Sequence, residues 1–119
     1  MRDFKNLVIW QKAHLLTKDI YQTTSDFPKE EIYGLTSQIR RACISIPSNI
    51  AEGCGREGNA ELARFLQISL GSTKEVEYHL LLAHELKFLN DRNYEQLNNQ
   101  VCQIRKMLIS FIKKIKEEY

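Results

Sequence analysis

Apolar residues recur along this chain at steps of three and four, the spacing of one helix face. Ile9, Ala13, Leu16 and Ile20 step four, three and four, with Trp10 and Tyr21 flanking them. They predict a first helix from about Leu7 to Thr24. "TTSDFPKE" breaks the pattern, and Pro28 stops one helix and precedes the next. Ile32, Leu35, Ile39, Ala42, Ile46 and Asn49/Ile50 carry a heptad-like stripe. It predicts a second helix that begins near Lys29 to Ile32 and ends in "EGCGREGN". A third helix, from about Ala60 to Leu89, is marked by Leu62, Leu66, Leu70, Thr73, Val76/Glu77, Leu80 and Ala83/His84. Phe65, Ile68, Leu81, Leu82 and Leu86 widen its apolar surface, so it is expected to pack on more than one side. "NDRN" closes it, with Asn90 or Asp91 capping a fourth helix. There Tyr94, Leu97, Val101, Ile104, Leu108, Phe111 and Ile115 form a seam of period 3.5. Strand-like alternation persists nowhere. Long helices with short connections predict an all-α fold, an antiparallel up-down-up-down four-helix bundle, with residues 1–119 as a single domain.

One segment conflicts with its own pattern. In "SIPSNIAEG", Ile46 and Ile50 sit four apart, yet Pro47 lies between them. Proline removes the hydrogen bond to the Cys43 carbonyl and crowds it, at about 3 kcal/mol in a straight helix. The stripe keeps its register across Pro47, which a loop has no reason to do. The expectation is one second helix, kinked at Pro47. Ser45, Ser48 and Asn49 then serve the freed carbonyls or a neighbouring subunit, and Gly53 ends the helix as its C-cap. Gly71, in the third helix beside Ser69 and Ser72, reads as a point of close helix approach.

Composition changes this picture little. Hydrophobic residues are 43% and charged residues 27%, a globular profile, and the formal charge is only +2. Such a balance does not by itself indicate nucleic-acid binding. Cys43, Cys54 and Cys102 are odd in number and widely spaced, which fits free thiols in a cytoplasmic protein. The apolar run "LVIW" is too short for a secretion signal or a membrane span.

The residues with chemistry form no enzyme motif. "GCGREG" matches the dinucleotide fingerprint at Gly53, Gly55 and Gly58, with Glu75 about twenty residues on, but a helix and not a strand precedes it. The segment reads as a helix–helix link, with a weak capacity for phosphate through its amides and Arg56. His79 and His84 are five apart, which does not place two ligands on one helix face. No Glu lies three before any histidine, as a di-iron bundle requires. No cofactor or metal is therefore expected, and His14, His79 and His84 read as surface or interface residues. Cys43 and Cys102 read as small apolar groups in helices, and Cys54 as exposed and oxidisable. Basic residues are more informative. Arg105, Lys106, Lys113, Lys114 and Lys116 follow Val101 with no acid among them, Arg40 and Arg41 are adjacent, and Arg56 and Arg64 border the Gly-rich turn. Each alone is an ordinary solvated charge. Repeated by a symmetric oligomer, they would build a large positive field.

"FKNLVIWQKA", "FPKEEIYGLTSQIRRACISIPSNIAEG", "ARFLQISLGSTKEVEYHLLLAHELKFL" and "RKMLISFIKKI" cover nearly the whole chain in order. Together they resemble the four-helix-bundle proteins encoded in intervening sequences of bacterial 23S ribosomal RNA genes (S23-like proteins). Relatives of these include the accessory variability protein of diversity-generating retroelements. The resemblance implies four antiparallel helices, a homopentamer and a positive surface suspected of binding RNA or DNA. In the retroelement branch it implies a reverse transcriptase partner. It carries no catalytic residue. Cys43 and Cys54 stand where alanine and a larger apolar residue are expected. The leading expectation is a non-enzymatic oligomer that binds structured RNA through Arg40, Arg41, Arg56, Arg64, Arg105, Lys106, Lys113 and Lys114. These cannot all share one face. The alternative is a protein-interaction scaffold, for example for a reverse transcriptase.

Overall fold

The computed structural model describes residues 2–118. Four helices account for most of them: α1 (Val8–Thr24), α2 (Leu35–Cys54), α3 (Asn59–Glu85) and α4 (Asp91–Glu117). No strand occurs among the described residues. Each helix packs against its neighbours in sequence, and α4 returns to α1, which closes a four-membered ring around one core. Cross-helix contacts run in opposite order along each pair. Ile46 and Ser45 of α2 meet Ser69 and Ser72 of α3, and Glu77 of α3 meets Arg105 of α4. The expected antiparallel bundle is the result, 46 × 23 × 20 Å in extent.

The predicted stripes supply the core. Ile9, Ala13, Leu16 and Ile20 of α1 are buried, as are Ile39, Ala42, Ile46 and Ile50 of α2. In α4, Leu97, Val101, Ile104, Leu108 and Ile115 are buried, but Ile112 replaces Phe111 in the innermost row. An α-helix turns at 3.6 residues, so a seam of period 3.5 drifts toward its next neighbour over several turns.

Helix ends depart most from the expectations. The second helix does not start at Lys29 to Ile32. A 3-10 turn occupies Lys29–Glu31, Gly34 interrupts, and α2 begins at Leu35, whose N–H donates to Glu31 Oε1 at 3.0 Å. Ile32 consequently lies outside the helix and is exposed. α3 ends at Glu85 and not at Leu89. Phe88 N–H donates to the Ala83 carbonyl at 2.9 Å and Lys87 N–H to that of His84 at 3.0 Å. This is the Schellman closure, with Lys87 at φ 66° in the left-handed position that glycine usually fills. Asn90 caps α4 by accepting from Asn93 N–H at 2.8 Å.

Two glycines do not take the roles expected of them. Gly53 is not the C-cap; α2 runs to Cys54 and Gly55 takes that place. A Cβ at Gly53 would lie 3.0 Å from both Leu62 Cδ1 and Phe65 Cβ, so Gly53 is where α2 and α3 approach closely. Gly71 is exposed, and a Cβ there would meet nothing within 4 Å. The widened α3 surface is likewise only partly covered. Phe65 is buried, whereas Ile68, Leu81 and Leu86 remain exposed.

α2 is continuous through Pro47, not an open loop. Ile46 and Ile50 both reach the core with no exposed surface. The Cys43 carbonyl, deprived of the residue-47 N–H, lies 3.4 Å from the Thr17 hydroxyl of α1. Around it, Asn49 Nδ2 donates to the Ser45 carbonyl at 2.8 Å, Ser69 Oγ to the Ile46 carbonyl at 2.9 Å, and Ser72 Oγ lies 2.8 Å from Ser45 Oγ. Ser45 therefore serves the α2–α3 contact and Asn49 bonds within α2, while the Thr17 hydroxyl of α1, donated at 2.8 Å to the Ala13 carbonyl, approaches the freed carbonyl at longer range.

Candidate nucleic-acid interface

The arginines proposed for phosphate contact are largely engaged within the fold. Arg40 donates through Nε to Thr24 Oγ1 at 2.8 Å and through Nη2 to the Tyr21 carbonyl at 3.2 Å, with its guanidinium 4.6 Å from the Tyr21 ring centroid. It closes the C-terminus of α1, where a cation meets the negative end of the helix dipole. Arg56 pairs with Glu52 at 3.2 Å and Arg64 with Glu61 at 3.0 Å. Both guanidinium groups also lie against Phe65, at 5.1 and 4.5 Å. Hydrogen bonding to Arg64 holds the Glu61 carboxyl below its usual range and raises the Arg64 guanidinium above its own. Arg105 is half-buried, its Nε 3.7 Å from Glu77 Oε1, and it joins α3 to α4.

Arg41, Lys106, Lys113 and Lys114 differ. All are exposed, and none makes an ion pair among the described residues. Lys106 and Lys113 stand two turns apart on the solvent side of α4, away from Ile104 and Leu108, with Lys114 about 100° round the helix. Arg41 lies on α2, diagonally across the ring, and so on a different face. Seven of the eight candidates thus form three groups: a lysine face on α4, an arginine pair around Phe65 at the α2–α3 turn, and Arg40/Arg41 on α2; Arg105 stands apart, between α3 and α4.

The thiols and imidazoles belong to the interior more than expected. Cys54 is 2% exposed, so the expectation of an oxidisable surface thiol is overturned. Burial raises its pKa against the opposing charge of Arg2. Burial pushes the Cys43 thiol up to about 12, against a hydrogen bond from its Sγ to Thr17 Oγ1. Neither is a nucleophile near neutral pH. His79 is buried, not a surface residue, and its Nδ1 has no partner among the described residues. Burial lowers its pKa, opposed by Glu75 at 3.7 Å. His84 bonds Asp91 at 2.7 Å and stacks on Tyr94 at 4.3 Å, tying α3 to α4. His14 is exposed and stacks on Trp10 at 4.8 Å. No group of three or more potential metal-ligating residues occurs among the described residues.

Surface aromatic residues are what the periodicity missed. Tyr33 is 92% exposed, and Ile32, Tyr21 and Ile44 are exposed nearby. They share a depression of about 370 Å³ with Arg40 and Arg41. A second groove, between α1 and α2, is lined by Phe4, Trp10, His14, Ile44 and Pro47. In sequence the only trace is apolar letters just outside a helix boundary, or on the wrong side of a stripe.

Residues 5–110 match the family model for the 23S rRNA-intervening sequence protein. The chain belongs to that family. Among solved structures, the 23S rRNA-intervening sequence fold is shared by a protein of unknown function from the S23 ribosomal protein family of Bacteroides thetaiotaomicron VPI-5482. It is 29% identical, with a TM-score of 0.81 over 89% of this chain and 99% of that one. No curated protein matches significantly. Among the described residues, no helix of this family member is long and apolar enough to cross a membrane.

Proposed function

We propose that this family member is a non-enzymatic, cytoplasmic, oligomeric protein that binds structured RNA through phosphate contacts. The observation that carries the reading is the face of α4. Lys106 and Lys113 project from one side of a rigid helix, flanked by Lys114, and none is in an ion pair with a described carboxylate. In this reading Arg40, Arg56 and Arg64, hydrogen-bonded within the fold, and Arg105, paired with Glu77 at 3.7 Å, have structural roles. One bundle offers few free cations, so a symmetric assembly of the kind the family resemblance implies, a homopentamer, multiplies the field. The α1–α2 groove, lined by Phe4, Trp10, Ile44 and Pro47, is the apolar surface that such an assembly would cover.

Binding of a folded RNA by the assembled protein should fall steeply with salt, the slope reporting the number of phosphates neutralised. Replacing Lys106, Lys113 and Lys114 with glutamine should weaken binding and flatten that slope by about 0.7–0.9 for each phosphate no longer neutralised. No binding at low ionic strength would defeat the reading. The same groove also favours the rival, an adaptor for a protein such as a reverse transcriptase. A partner that survives nuclease treatment of the lysate supports the adaptor; one that disappears supports RNA.

A further inference from the structure

Three buried side-chain polar atoms have no hydrogen-bond partner among the described residues: Glu77 Oε1, His79 Nδ1 and Arg105 Nε. Two of them face each other. Glu77 Oε1, on α3, lies 3.7 Å from Arg105 Nε, on α4, an ion pair too long for a hydrogen bond. The same oxygen lies 3.9 Å from Lys74 Nζ, one turn back on α3. One carboxylate oxygen thus stands between two cations and hydrogen-bonds to neither. A buried acceptor and a buried donor left unmet side by side are costly, because each has given up water without replacing it.

The arrangement has an outlet at the surface. The Lys74 side chain is 64% exposed, and Glu77 is its only ion-pair partner among the described residues. Both residues line a groove of about 340 Å³ between α3 and α4, with Tyr78, Leu81, Tyr94 and Asn98. The Lys74 ammonium, the Asn98 amide and the tyrosine hydroxyls are hydrogen-bond donors, and Glu77 is the one carboxylate in the lining. α4, which forms the far wall, also carries Lys106 and Lys113. Lys74, Glu77 and Arg105 together hold one net positive charge. The positive field of α4 therefore extends onto α3.

An anion that draws Lys74 outward relieves Glu77 of its second cation. The 3.7 Å gap to Arg105 can then shorten to the roughly 2.8 Å of a charge-assisted hydrogen bond. Both orphaned atoms are met by that one movement. A phosphate suits this exchange, because its charge competes with a carboxylate for the ammonium and it recurs along the nucleic-acid backbone.

We infer that Lys74 is a phosphate contact for bound RNA, and that Glu77 is its internal counterion, which turns to Arg105 when RNA binds. The inference rests on the RNA-binding reading above and adds to it the α3 wall of the groove. Arg105 keeps its structural role, and its Nε reports the exchange.

The test is the affinity of an RNA stem–loop across salt concentrations, with the 1H–15N signal of Arg105 Nε as a second readout. Lys74 is exposed, so Lys74→Gln should fold, which circular dichroism checks. It should weaken binding and lower the salt slope by about 0.7–0.9, the share of one phosphate. Lys74→Arg should keep both near wild type. In wild type, RNA should shift the Arg105 Nε signal. In Lys74→Gln without RNA that signal should already be displaced in the same direction, because Glu77 is no longer shared. If RNA binds and Lys74→Gln changes neither affinity nor slope, the inference fails while the RNA-binding reading survives. An Arg105 signal unmoved by RNA in wild type also overturns it, since Lys74 is then an ordinary surface charge. If Lys74→Gln instead loses a partner that survives nuclease treatment and keeps its RNA affinity, the groove is a protein contact and the inference is overturned. If no RNA binds at low salt, both fall.

Discussion

Gly53 and Gly71 are chemically identical and should respond oppositely to alanine. At Gly71 the site is an exposed helix interior with open space, so Gly71→Ala should stabilise by about 1 kcal/mol through backbone entropy alone. At Gly53 the same propensity gain meets Phe65 Cβ, an atom held by the α3 backbone and unable to swing aside. Overpacking of this kind costs about 1–3 kcal/mol, so Gly53→Ala should be net destabilising. Urea midpoints of the two variants should move in opposite directions. His79 makes a prediction of the same local kind. Its folded pKa is depressed, so between its folded and unfolded values the unfolded chain binds more protons. Stability from this group is complete above about pH 6.5 and is lost as pH falls toward the folded pKa. His79→Phe should flatten that part of a stability–pH curve measured from about pH 7 to about pH 5.

At the scale of elements, the interest lies in how helices end and how one survives its proline. Lys87 holds a left-handed conformation that costs a side-chain-bearing residue about 1–2 kcal/mol. Lys87→Gly should recover about 0.5–1 kcal/mol, net of the entropy that glycine adds to the unfolded chain, and thermal denaturation reads it. For α2, Thr17 and Pro47 form a testable pair. In wild type the Thr17 hydroxyl is the non-local group near the Cys43 carbonyl, at 3.4 Å. In Pro47→Ala the residue-47 amide can serve that carbonyl itself. The Thr17 hydroxyl donates its proton mainly to the Ala13 carbonyl, at 2.8 Å, so the coupling is at the low end for touching residues. Thr17→Val should cost less in the Pro47→Ala background than in wild type, by about 0.5 kcal/mol in a double-mutant cycle. The kink expected at Pro47 belongs with this pair, and straightening of α2 in Pro47→Ala is its direct test.

At the scale of the molecule, the closed ring of helices sorts the basic residues by the direction each helix presents. α2 and α4 sit diagonally, so Arg41 and the Lys106/Lys113 face point away from one another. An RNA touching both would have to wrap the bundle, or span neighbouring copies in an assembly. Native mass spectrometry with and without RNA distinguishes the two, because wrapping leaves the subunit number unchanged at any protein concentration. The proposed pentamer should persist without RNA and in nuclease-treated preparations.

Periodicity alone determined the bundle, its helix order and nearly all its buried rows, because a face that must leave water leaves its spacing in the chain. It also marked α2 as a single helix through Pro47, since register carries across a missing hydrogen bond. The helix ends were less legible. The Schellman closure at Lys87 and the break at Gly34 depend on φ and ψ values that neither residue name requires. Which glycine sat in a crowded contact, and whether Cys54 and His79 were covered, depended on residues far away in sequence. The same holds for the candidate site. Charge was visible as letters, but an arginine is free or engaged according to whether a carboxylate or carbonyl lies opposite it. The pairs Arg56–Glu52 and Arg64–Glu61 are local along the chain, but only the packed helices brought Arg40 to the end of α1 and Arg105 to Glu77, and placed Tyr33 and Arg41 around one depression.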